Sequence, residues 1–288
     1  MLFIHIPKTA GTSFRIAAQN YFGNDNTCFD YGDKSVVTTQ EIKEIIYNRA
    51  DYSKLQHEIS CKERFFLSGH FSVSRYMHLF PTINVVTFMR DPVAQVVSHY
   101  TFFKTHFGYD KPLEDFVRED RFSNSQFLRL QGKPLELFGF VGITEEYLTS
   151  LKIINNLFET NIEEMQENKN ESSASLKQSL DRETVALIKK HNAKDIELYN
   201  KAKKLFLAHK KAYDSEESFM YKFVEEDTAQ KQRGVAYYRV GDNPASIAYN
   251  TRSGKEQKVI ACDFRPSFSV HNLPRNGYVG YEYMKTED

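Results

Sequence analysis

The sequence predicts an α/β fold, in which a parallel sheet is flanked by helices and followed by a small β-rich C-terminal appendage. Three observations carry this prediction. An apolar strand runs from Phe3 into a loop of small and hydroxyl residues and then a helix start. A second apolar, β-branched run from Ile83 to Met89 ends in an Arg-Asp-Pro turn, as expected of a buried parallel strand. After Asp214, short β-like runs alternate with Gly, Asn and Pro turns.

The loop after the first strand has the composition of a phosphate-binding site. Residues 7–13 read Pro-Lys-Thr-Ala-Gly-Thr-Ser and lead into a helix, whose N-terminus offers unpaired N–H groups and a positive dipole end to an anion. Gly11 lets the backbone approach a ligand, and Lys8 adds a mobile positive charge. Hydroxyl donors come from Thr9, Thr12 and Ser13. The order is P-loop-like but differs from G-x-x-x-x-G-K-[ST], because here the lysine comes early and the glycine late.

The turn after the second apolar run is a further candidate for anion binding. Arg90 ends the strand, and arginine grips phosphate oxygens with two parallel bonds. Pro92 suits the first position of a helix that continues to Tyr100. The alternative interpretation is that Asp91 caps this helix while Arg90 forms a surface ion pair.

Between these motifs, the apolar stretch from Arg64 ends in Gly-His at His70. A histidine can take a proton from an attacking hydroxyl near neutral pH. Ligands of open parallel sheets collect beyond the carboxyl ends of the strands, where His70, Lys8 and Arg90 are expected to meet. A hydrogen-bonded structural role is the alternative for His70. His5, inside the first strand among apolar neighbours, is interpreted as a satisfied core residue.

Together these motifs resemble those of sulfotransferases that use 3′-phosphoadenosine 5′-phosphosulfate (PAPS). Their 5′-phosphosulfate loop is matched here by Lys8, Thr9, Ala10, Gly11, Thr12 and Ser13. His-Ile-Pro-Lys-Thr, in a chain without tryptophan, resembles the carbohydrate branch, typified by heparan sulfate uronyl 2-O-sulfotransferase. Arg90 and Ser98 match the residues that hold the 3′-phosphate in Arg-Asp-Pro-x-x-x-x-x-Ser-x-Tyr, and His70 matches the catalytic base.

The resemblance implies in-line transfer of a sulfuryl group from PAPS to a hydroxyl-bearing acceptor, with a carbohydrate as the favoured class. His70 would remove the hydroxyl proton, and Lys8 would meet the charge that grows on the bridging and leaving oxygens. The product of the donor would be 3′,5′-adenosine bisphosphate (PAP), and no metal would be required. Acceptor identity and regiochemistry are left open.

The resemblance extends over about residues 2 to 210, so residues 1–214 are predicted to form the PAPS-binding domain and 215–288 an extension of unassigned role. Asn124 to Gly132 resembles a family stretch Asn-x-Gln-x-Arg-x-Leu-x-Gly, with Arg129 one place late. Phe140 to Glu145 resembles the last strand and its turn, where Thr144 is expected to cap the next helix. Asp195 to Tyr199 resembles the closing helix. Whether Arg129 or Arg239 contacts the nucleotide is open.

Two helices are predicted at about 182–190 and 193–211, after a polar stretch from Asn161 to Ser175 that is interpreted as a mobile loop. In the tail, the β-like runs at 237–240, 246–249, 258–262 and 278–281 predict a small antiparallel sheet.

Composition limits the partners. The 38 basic and 38 acidic residues give a net charge of zero, and no basic block could follow a nucleic-acid backbone, so no nucleic-acid partner is expected. The same neutrality disfavours a heavily sulfated acceptor. Three widely spaced cysteines, Cys28, Cys61 and Cys262, indicate neither a zinc site nor a disulfide framework. The sequence shows no signal peptide and no membrane-spanning stretch. Animal members of the branch that it resembles normally carry an N-terminal membrane anchor, so the resemblance implies a bacterial cytoplasmic protein or a trimmed chain, of which the first is favoured.

Two other functions stay open at this stage. A kinase-like phosphotransferase would need the Gly-Lys-Ser order and a magnesium-binding carboxylate after a strand. A non-catalytic nucleotide-binding protein would have kept the loop and lost turnover, against which the presence of Lys8 and His70 counts. The oligomeric state is not indicated, and a homo-oligomer is compatible with the sequence.

Overall fold

The computed structural model describes residues 1–80, 84–131, 133–165 and 171–215, and the backbone of strands at 218–227, 232–239, 248–250, 256–258 and 278–284. Its first unit is a parallel sheet in the order β2-β3-β1-β4-β5. The strands are β1 (Leu2–Ile4), β2 (Thr27–Asp30), β3 (Phe66–Gly69), β4 (Val85–Met89) and β5 (Phe140–Ile143). All four strand pairs are parallel. The predicted α/β class is confirmed.

Helices connect and flank these strands. They are α1 (Gly11–Phe22), α2 (Gln40–Ile42), α3 (Tyr52–Ser60), α4 (Pro92–Phe107), α5 (Leu113–Arg118), α6 (Ser125–Leu130), α7 (Tyr147–Leu157), α8 (Glu171–Gln178), α9 (Arg182–His191) and α10 (Ala193–Asp214). Pro92 stands at the start of α4, where its missing N–H costs nothing. The two helices predicted after residue 181 are confirmed, with ends one and three residues later than expected.

Phenylalanine rings are prominent in the core, beside aliphatic side chains, in a chain that has no tryptophan. Phe3 of β1 contacts Phe14 of α1 at a ring-centroid distance of 4.7 Å and Phe88 of β4 at 6.0 Å, both edge-on. Phe66 of β3 packs on the other side of Phe3. Edge-to-face and offset ring contacts of this kind add to the free energy of burial. Because these rings come from three adjacent strands and α1, they fix the strand ends that carry the site.

Two local predictions are wrong. Thr144 does not cap the following helix: a 3-10 turn over Thr144–Glu146 intervenes, α7 begins at Tyr147, and the buried Thr144 hydroxyl has no hydrogen-bond partner among the described residues. The polar stretch interpreted as a loop up to Ser175 instead enters helix α8 at Glu171. Alanine, leucine and lysine around the serines there are adequate helix formers. The loop prediction was wrong because it considered only the polar residues.

The C-terminal strands form a second, antiparallel sheet in the order β10-β6-β7-β8-β9. They are β6 (Ser218–Asp227), β7 (Gln232–Arg239), β8 (Ala248–Asn250), β9 (Glu256–Lys258) and β10 (Tyr278–Met284). The predicted β-rich appendage is confirmed, and β6 adds a strand that the sequence analysis missed although Phe219, Tyr221 and Phe223 alternate with a period of two. The predicted runs at residue 240, 246–247 and 259–262 lie outside the described residues. The domain boundary at 214 stays a prediction.

Candidate functional site

The site lies at the carboxyl edge of the parallel sheet. β1 is the central strand, with β3 on one side and β4 on the other. The chain leaves β1 toward β2, beyond β3, and leaves β4 toward β5, so these two connections run in opposite directions. Ligands of open α/β sheets bind at such a switch point, where the loops diverge and leave a crevice. The loops that follow β1, β3 and β4 carry Lys8, His70 and Arg90, so the expected meeting of these residues at one edge is confirmed by their positions.

The loop after β1 is tightly wound. Lys8 and Ala10 both adopt left-handed backbone conformations, with φ of 67° and 62°. Such values cost energy for residues other than glycine, and they cluster at ligand sites. Between them Thr9 is fully buried, and its hydroxyl donates to the carbonyl of Ile6 at 2.9 Å. The Thr9 hydroxyl therefore closes the loop on itself.

Helix α1 begins at Gly11 with no side-chain cap and no acidic residue in its first turn. The first N–H groups of a helix have no intrahelical partners, and no carboxylate of this first turn competes for them. They therefore suit an anion. Thr12 and Ser13 follow in this first turn. Gly11 has a more specific reason to be glycine than the one predicted: a Cβ atom at this position would overlap the imidazole of His5. The glycine makes room for a histidine ring behind the loop.

Arg90 joins the second motif to the first. Its Nη1 atom donates to the carbonyl oxygen of Lys8 at 3.0 Å. Its backbone is held by the side-chain amide of Gln126, which accepts from the Arg90 N–H at 3.0 Å and donates to its carbonyl at 2.9 Å. Asp91 caps α4 through the N–H of Ala94, as the alternative interpretation expected. Arg90 nevertheless forms no ion pair with a carboxylate in the described part of the chain, so only the cap of that alternative interpretation is observed there.

The site contains two half-buried cations, Lys8 and Arg90. Burial lowers the pKa of Arg90, and the charges of Glu145 and Asp91 oppose this shift. Burial lowers the pKa of Lys8, and the nearby guanidinium of Arg90 lowers it further. The Lys8 ammonium lies over the ring of Phe102, 4.6 Å from its centroid. No ion pair of Lys8 or Arg90 is formed within the described residues, so an anionic ligand would supply the missing countercharge.

Helix α4 contributes a face to the site. Ser98 is buried on its second turn. Gln95, one turn earlier, donates to the carbonyl of Pro7 at 3.1 Å and to the hydroxyl of Ser125 at 2.9 Å, so it ties α4 to the loop and to α6. The sequence analysis missed Gln95, although its spacing of three from Ser98 places both on one helix face.

His70 is held in one tautomer. Its Nδ1 atom lies 2.7 Å from the carbonyl oxygen of His5. A carbonyl can only accept, so Nδ1 carries the hydrogen and Nε2 keeps its lone pair. Burial lowers the pKa of His70 to about 4; the His5 carbonyl opposes this shift, and the charges of Arg129 and Arg15 add to it. His70 is therefore neutral at pH 7, as a proton acceptor must be.

Gly69 is explained by strand packing and not by ligand approach. A Cβ atom there would overlap the carbonyl oxygen of Asp30 in β2, the same oxygen that accepts the backbone N–H of His70 at 3.0 Å. The Asp30 side chain is also occupied, since its two oxygens accept from the hydroxyls of Tyr47 and Tyr76, each at 2.7 Å. This buried carboxylate anchors the strand end that carries His70.

Arg129 lies in the site despite its shifted position in the motif. Its Nη1 atom donates to the carbonyl oxygen of His70 at 2.9 Å. Two residues anchor its short helix α6: Asp195 accepts the N–H groups of Gln126 and Phe127 at 3.1 and 2.7 Å, and Asn124 Oδ1 accepts those of Lys194 and Asp195 at 3.0 and 3.2 Å. Arg239 is the last residue of β7, and its relation to a nucleotide stays open.

Other features of the described residues are as follows. No helix among them is long and apolar enough to cross a membrane. Cys28 is buried and Cys61 exposed, both as free thiols, while Cys262 lies outside the described residues.

No family model matches the chain, and no curated protein sequence matches it. Among solved structures, the chain is similar to the crystal structure of a sulfotransferase from Alicyclobacillus acidocaldarius, with 12% sequence identity and a TM-score of 0.37. The superposition covers 66% of this chain and 94% of that chain. A TM-score this low carries no argument about activity, so the function has to be argued from the residues of the site.

Proposed function

We propose that this protein is a PAPS-dependent O-sulfotransferase that transfers a sulfuryl group to a hydroxyl of a carbohydrate acceptor. The observation that carries the proposal is the bond from Arg90 to the carbonyl of Lys8, with a neutral His70 on the adjacent strand end. Lys8 and Arg90, which form no ion pair within the described residues, and a histidine with a free Nε2 lone pair at the same edge of the sheet suit an anionic donor and a hydroxyl nucleophile.

The roles follow from the positions. The loop from Lys8 to Ser13, at the start of α1, would hold the 5′-phosphosulfate of the donor through backbone N–H groups and hydroxyls. Arg90 and Ser98 would hold the 3′-phosphate. Both phosphates belong to one nucleotide, so their two sites must keep a fixed separation, which the bond between Arg90 and the loop favours.

The transfer step balances without a further reactant. The acceptor oxygen attacks sulfur in line, a new S–O bond forms, and the bond from sulfur to the bridging phosphate oxygen breaks. The hydroxyl proton moves to Nε2 of His70, and the electron pair leaves on the bridging oxygen of PAP. Lys8 would neutralise charge on that oxygen, and the carbonyl of His5 would stabilise the imidazolium through Nδ1. Arg129, bonded to the His70 carbonyl, would help to hold the base.

The kinase-like alternative needs a carboxylate available for magnesium. Asp30, at the end of β2, and Asp91, after β4, are both engaged with protein groups, as is Glu145 after β5, which accepts from the Asp91 N–H and the Tyr199 hydroxyl, each at 3.0 Å. Asp30 accepts from two tyrosine hydroxyls and pairs with Arg75 at 3.0 Å. Asp91 caps α4 and pairs with Lys177 at 2.9 Å. None of the three offers a free oxygen pair toward the loop, which favours the sulfotransferase proposal.

Calorimetry and a transfer assay test the proposal together. PAP should bind without added magnesium, and ATP should bind more weakly with or without it. Radiolabelled PAPS offered with sugar, lipid and phenolic acceptors should label the sugars. Tighter, magnesium-dependent binding of ATP would favour the kinase, and labelling of phenols or lipids alone would overturn the carbohydrate assignment. Binding of PAP without transfer to any class would favour the non-catalytic alternative.

Residues 1–214 are proposed as the donor-binding unit, with the antiparallel sheet as an extension of unassigned role. Bacterial origin, a cytoplasmic location and independence of metals and nucleic acids stay predictions of the sequence, and the oligomeric state stays open.

A further inference from the structure

His5 lies between two parts of the site described above, the start of α1 and His70, and the proposed chemistry gives its ring no task. The side chain is buried, at 4% exposure. The apolar ring of Phe3 stacks on it at a centroid distance of 5.7 Å, but it also has polar neighbours that the sequence did not predict. Its Nδ1 atom is hydrogen-bonded to the hydroxyl of Tyr31 at 2.6 Å, and its ring centroid lies 4.3 Å from that of His70.

The other edge of the His5 ring faces the phosphate loop. Its Cδ2 and Nε2 atoms occupy the space that a Cβ atom of residue 11 would need. Because Gly11 is the first residue of α1, the ring is wedged between the start of the proposed anion site and the proposed base. A displacement of either side must therefore move the ring or be resisted by it.

Tyr31 is hydrogen-bonded to the His5 ring and also contacts His70. Its ring meets the His70 ring edge-on, at a centroid distance of 4.7 Å and an angle of 73°. Burial raises the pKa of Tyr31 to about 12, so its hydroxyl keeps its hydrogen. Burial lowers the pKa of His5 well below its usual value, and His70, Arg15, Lys8 and Arg129 lower it further, so His5 stays neutral. A neutral imidazole and a protonated phenol can share a hydrogen bond over the whole physiological range.

We propose that His5 and Tyr31 are positioning residues that hold the imidazole of His70 at a fixed position relative to the start of helix α1. The His5 carbonyl fixes the His70 tautomer, the His5 ring supports one side of the imidazole, and the Tyr31 ring borders another. The catalytic meaning of this arrangement rests on the proposed function, whereas the contacts themselves can be tested separately. Misplacing a catalytic group by about 1 Å can cost about 100-fold in rate, so this positioning should affect turnover more than donor affinity.

The wedge is tested by a double-variant cycle. In Gly11→Ala the new Cβ must displace the His5 ring, so turnover should fall at least about tenfold. In His5→Ser the space is empty, so adding Gly11→Ala should cause little further loss, and the two effects should be strongly non-additive. If the turnover losses of Gly11→Ala and His5→Ser multiply in the double variant, the proposed contact between the His5 ring and residue 11 is overturned. His57→Ser, on the exposed side of α3, is the matched control for a histidine replacement and should leave turnover unchanged.

A second variant keeps the test independent of whether Gly11→Ala folds. Tyr31→Phe retains the ring beside His70 but removes the hydrogen bond to His5. Its control is Tyr21→Phe, which removes a hydroxyl that accepts from Arg64 at the far end of α1. Imidazole nitrogen NMR of the whole chain should show His70 protonated at Nδ1. The His70 signals should shift in Tyr31→Phe and not in Tyr21→Phe, and kcat should fall about three- to tenfold with PAP affinity retained.

The outcomes separate the two proposals. Shifted His70 signals in a protein that neither binds PAP nor transfers sulfate would support the positioning role and overturn the proposed function. PAP binding and transfer with His70 signals and kcat the same in Tyr31→Phe as in Tyr21→Phe would support the function and overturn the positioning role.

Discussion

The Nη1 atom of Arg90 donates to the carbonyl oxygen of Lys8 at 3.0 Å, across 82 residues of sequence. This bond joins the loops that follow the two adjacent strands β1 and β4. A guanidinium has five N–H donors, so one bond to the loop leaves others for a ligand. The arginine therefore fixes the separation of the two elements that are proposed to bind anions, and it has donors left for a phosphate.

Replacing Arg90 with alanine should weaken PAP binding by about 1.5 to 3 kcal/mol, the usual worth of a charge-assisted hydrogen bond. The loss includes the bond that steadies the Lys8 carbonyl, so the loop would also be less ordered. Calorimetry without magnesium measures the affinity. Arg118→Ala removes an exposed arginine paired with Asp115 and serves as the control, with unchanged affinity expected. Equal affinities for the two variants would contradict a role of Arg90 in holding the 3′-phosphate.

Replacing His70 with alanine should separate binding from chemistry. PAP affinity should be nearly unchanged, because His70 faces the acceptor in the proposed mechanism, whereas kcat should fall by about 10² to 10⁴-fold, as is usual for a lost general base. Turnover of radiolabelled PAPS gives kcat, and calorimetry gives the affinity. Lys8→Ala should impair both quantities, since its ammonium would contact the donor before and during transfer. Near-normal turnover in folded His70→Ala would require another base.

Much of the site was predictable because its residues follow strands that the sequence marks clearly. Apolar runs ending at Lys8, His70 and Arg90 imply parallel strands, and parallel strands bring their carboxyl ends to one edge. The predicted meeting of the three residues needed no tertiary information beyond that rule.

What the sequence could not predict were the contacts made across that edge. Gly11 was expected to admit a ligand, but its missing side chain makes room for His5. His5 was expected to have apolar neighbours, yet it meets Tyr31 and His70, which come from two other strand ends. Both contacts depend on the order of the strands in the sheet, which cannot be deduced from a single sequence. The sequence left open whether Arg129 belongs to the site, because its position in the motif is shifted by one residue. The placement of α6 brings Arg129 to the carbonyl of His70.

The anchoring of α6 leads to a stability prediction. Asp195 accepts two N–H groups at the start of α6, and Asn124, just before that helix, accepts two at the start of α10. Reciprocal caps of this kind satisfy donors that would otherwise be buried and unpaired. Asp195→Ala should lower the free energy of unfolding by about 2 to 4 kcal/mol in urea titrations. Asp214→Ala, which removes an exposed partner of Lys210, should cost less than about 1 kcal/mol. Equal losses would contradict the capping role.

The buried histidines predict that the protein loses stability in mild acid. Burial lowers the pKa of His70 and His99 to about 4 and of His209 to about 3. Each imidazole binds its proton more readily in the unfolded chain, where the pKa is about 6.5. The stabilisation is therefore complete above pH 6.5 and declines as the pH falls toward the folded-state values. Asp195 acts in the opposite direction, because burial raises its pKa to about 6 and protonation below that value favours the folded state.

These three histidines, together with His5, whose pKa burial also lowers, outweigh one carboxyl, since each of the three contributes up to about 1.4 kcal/mol between pH 7.5 and 5.5. The free energy of unfolding should therefore fall by about 2 kcal/mol or more over this interval in urea titrations. In His70→Asn the fall should be smaller by about 1 kcal/mol, because one titrating group is gone. The exposed His57→Asn should leave the fall as in the wild type. A free energy of unfolding that is constant from pH 7.5 to 5.5, or an equal fall in all three proteins, would show that His70 is not held neutral by the fold.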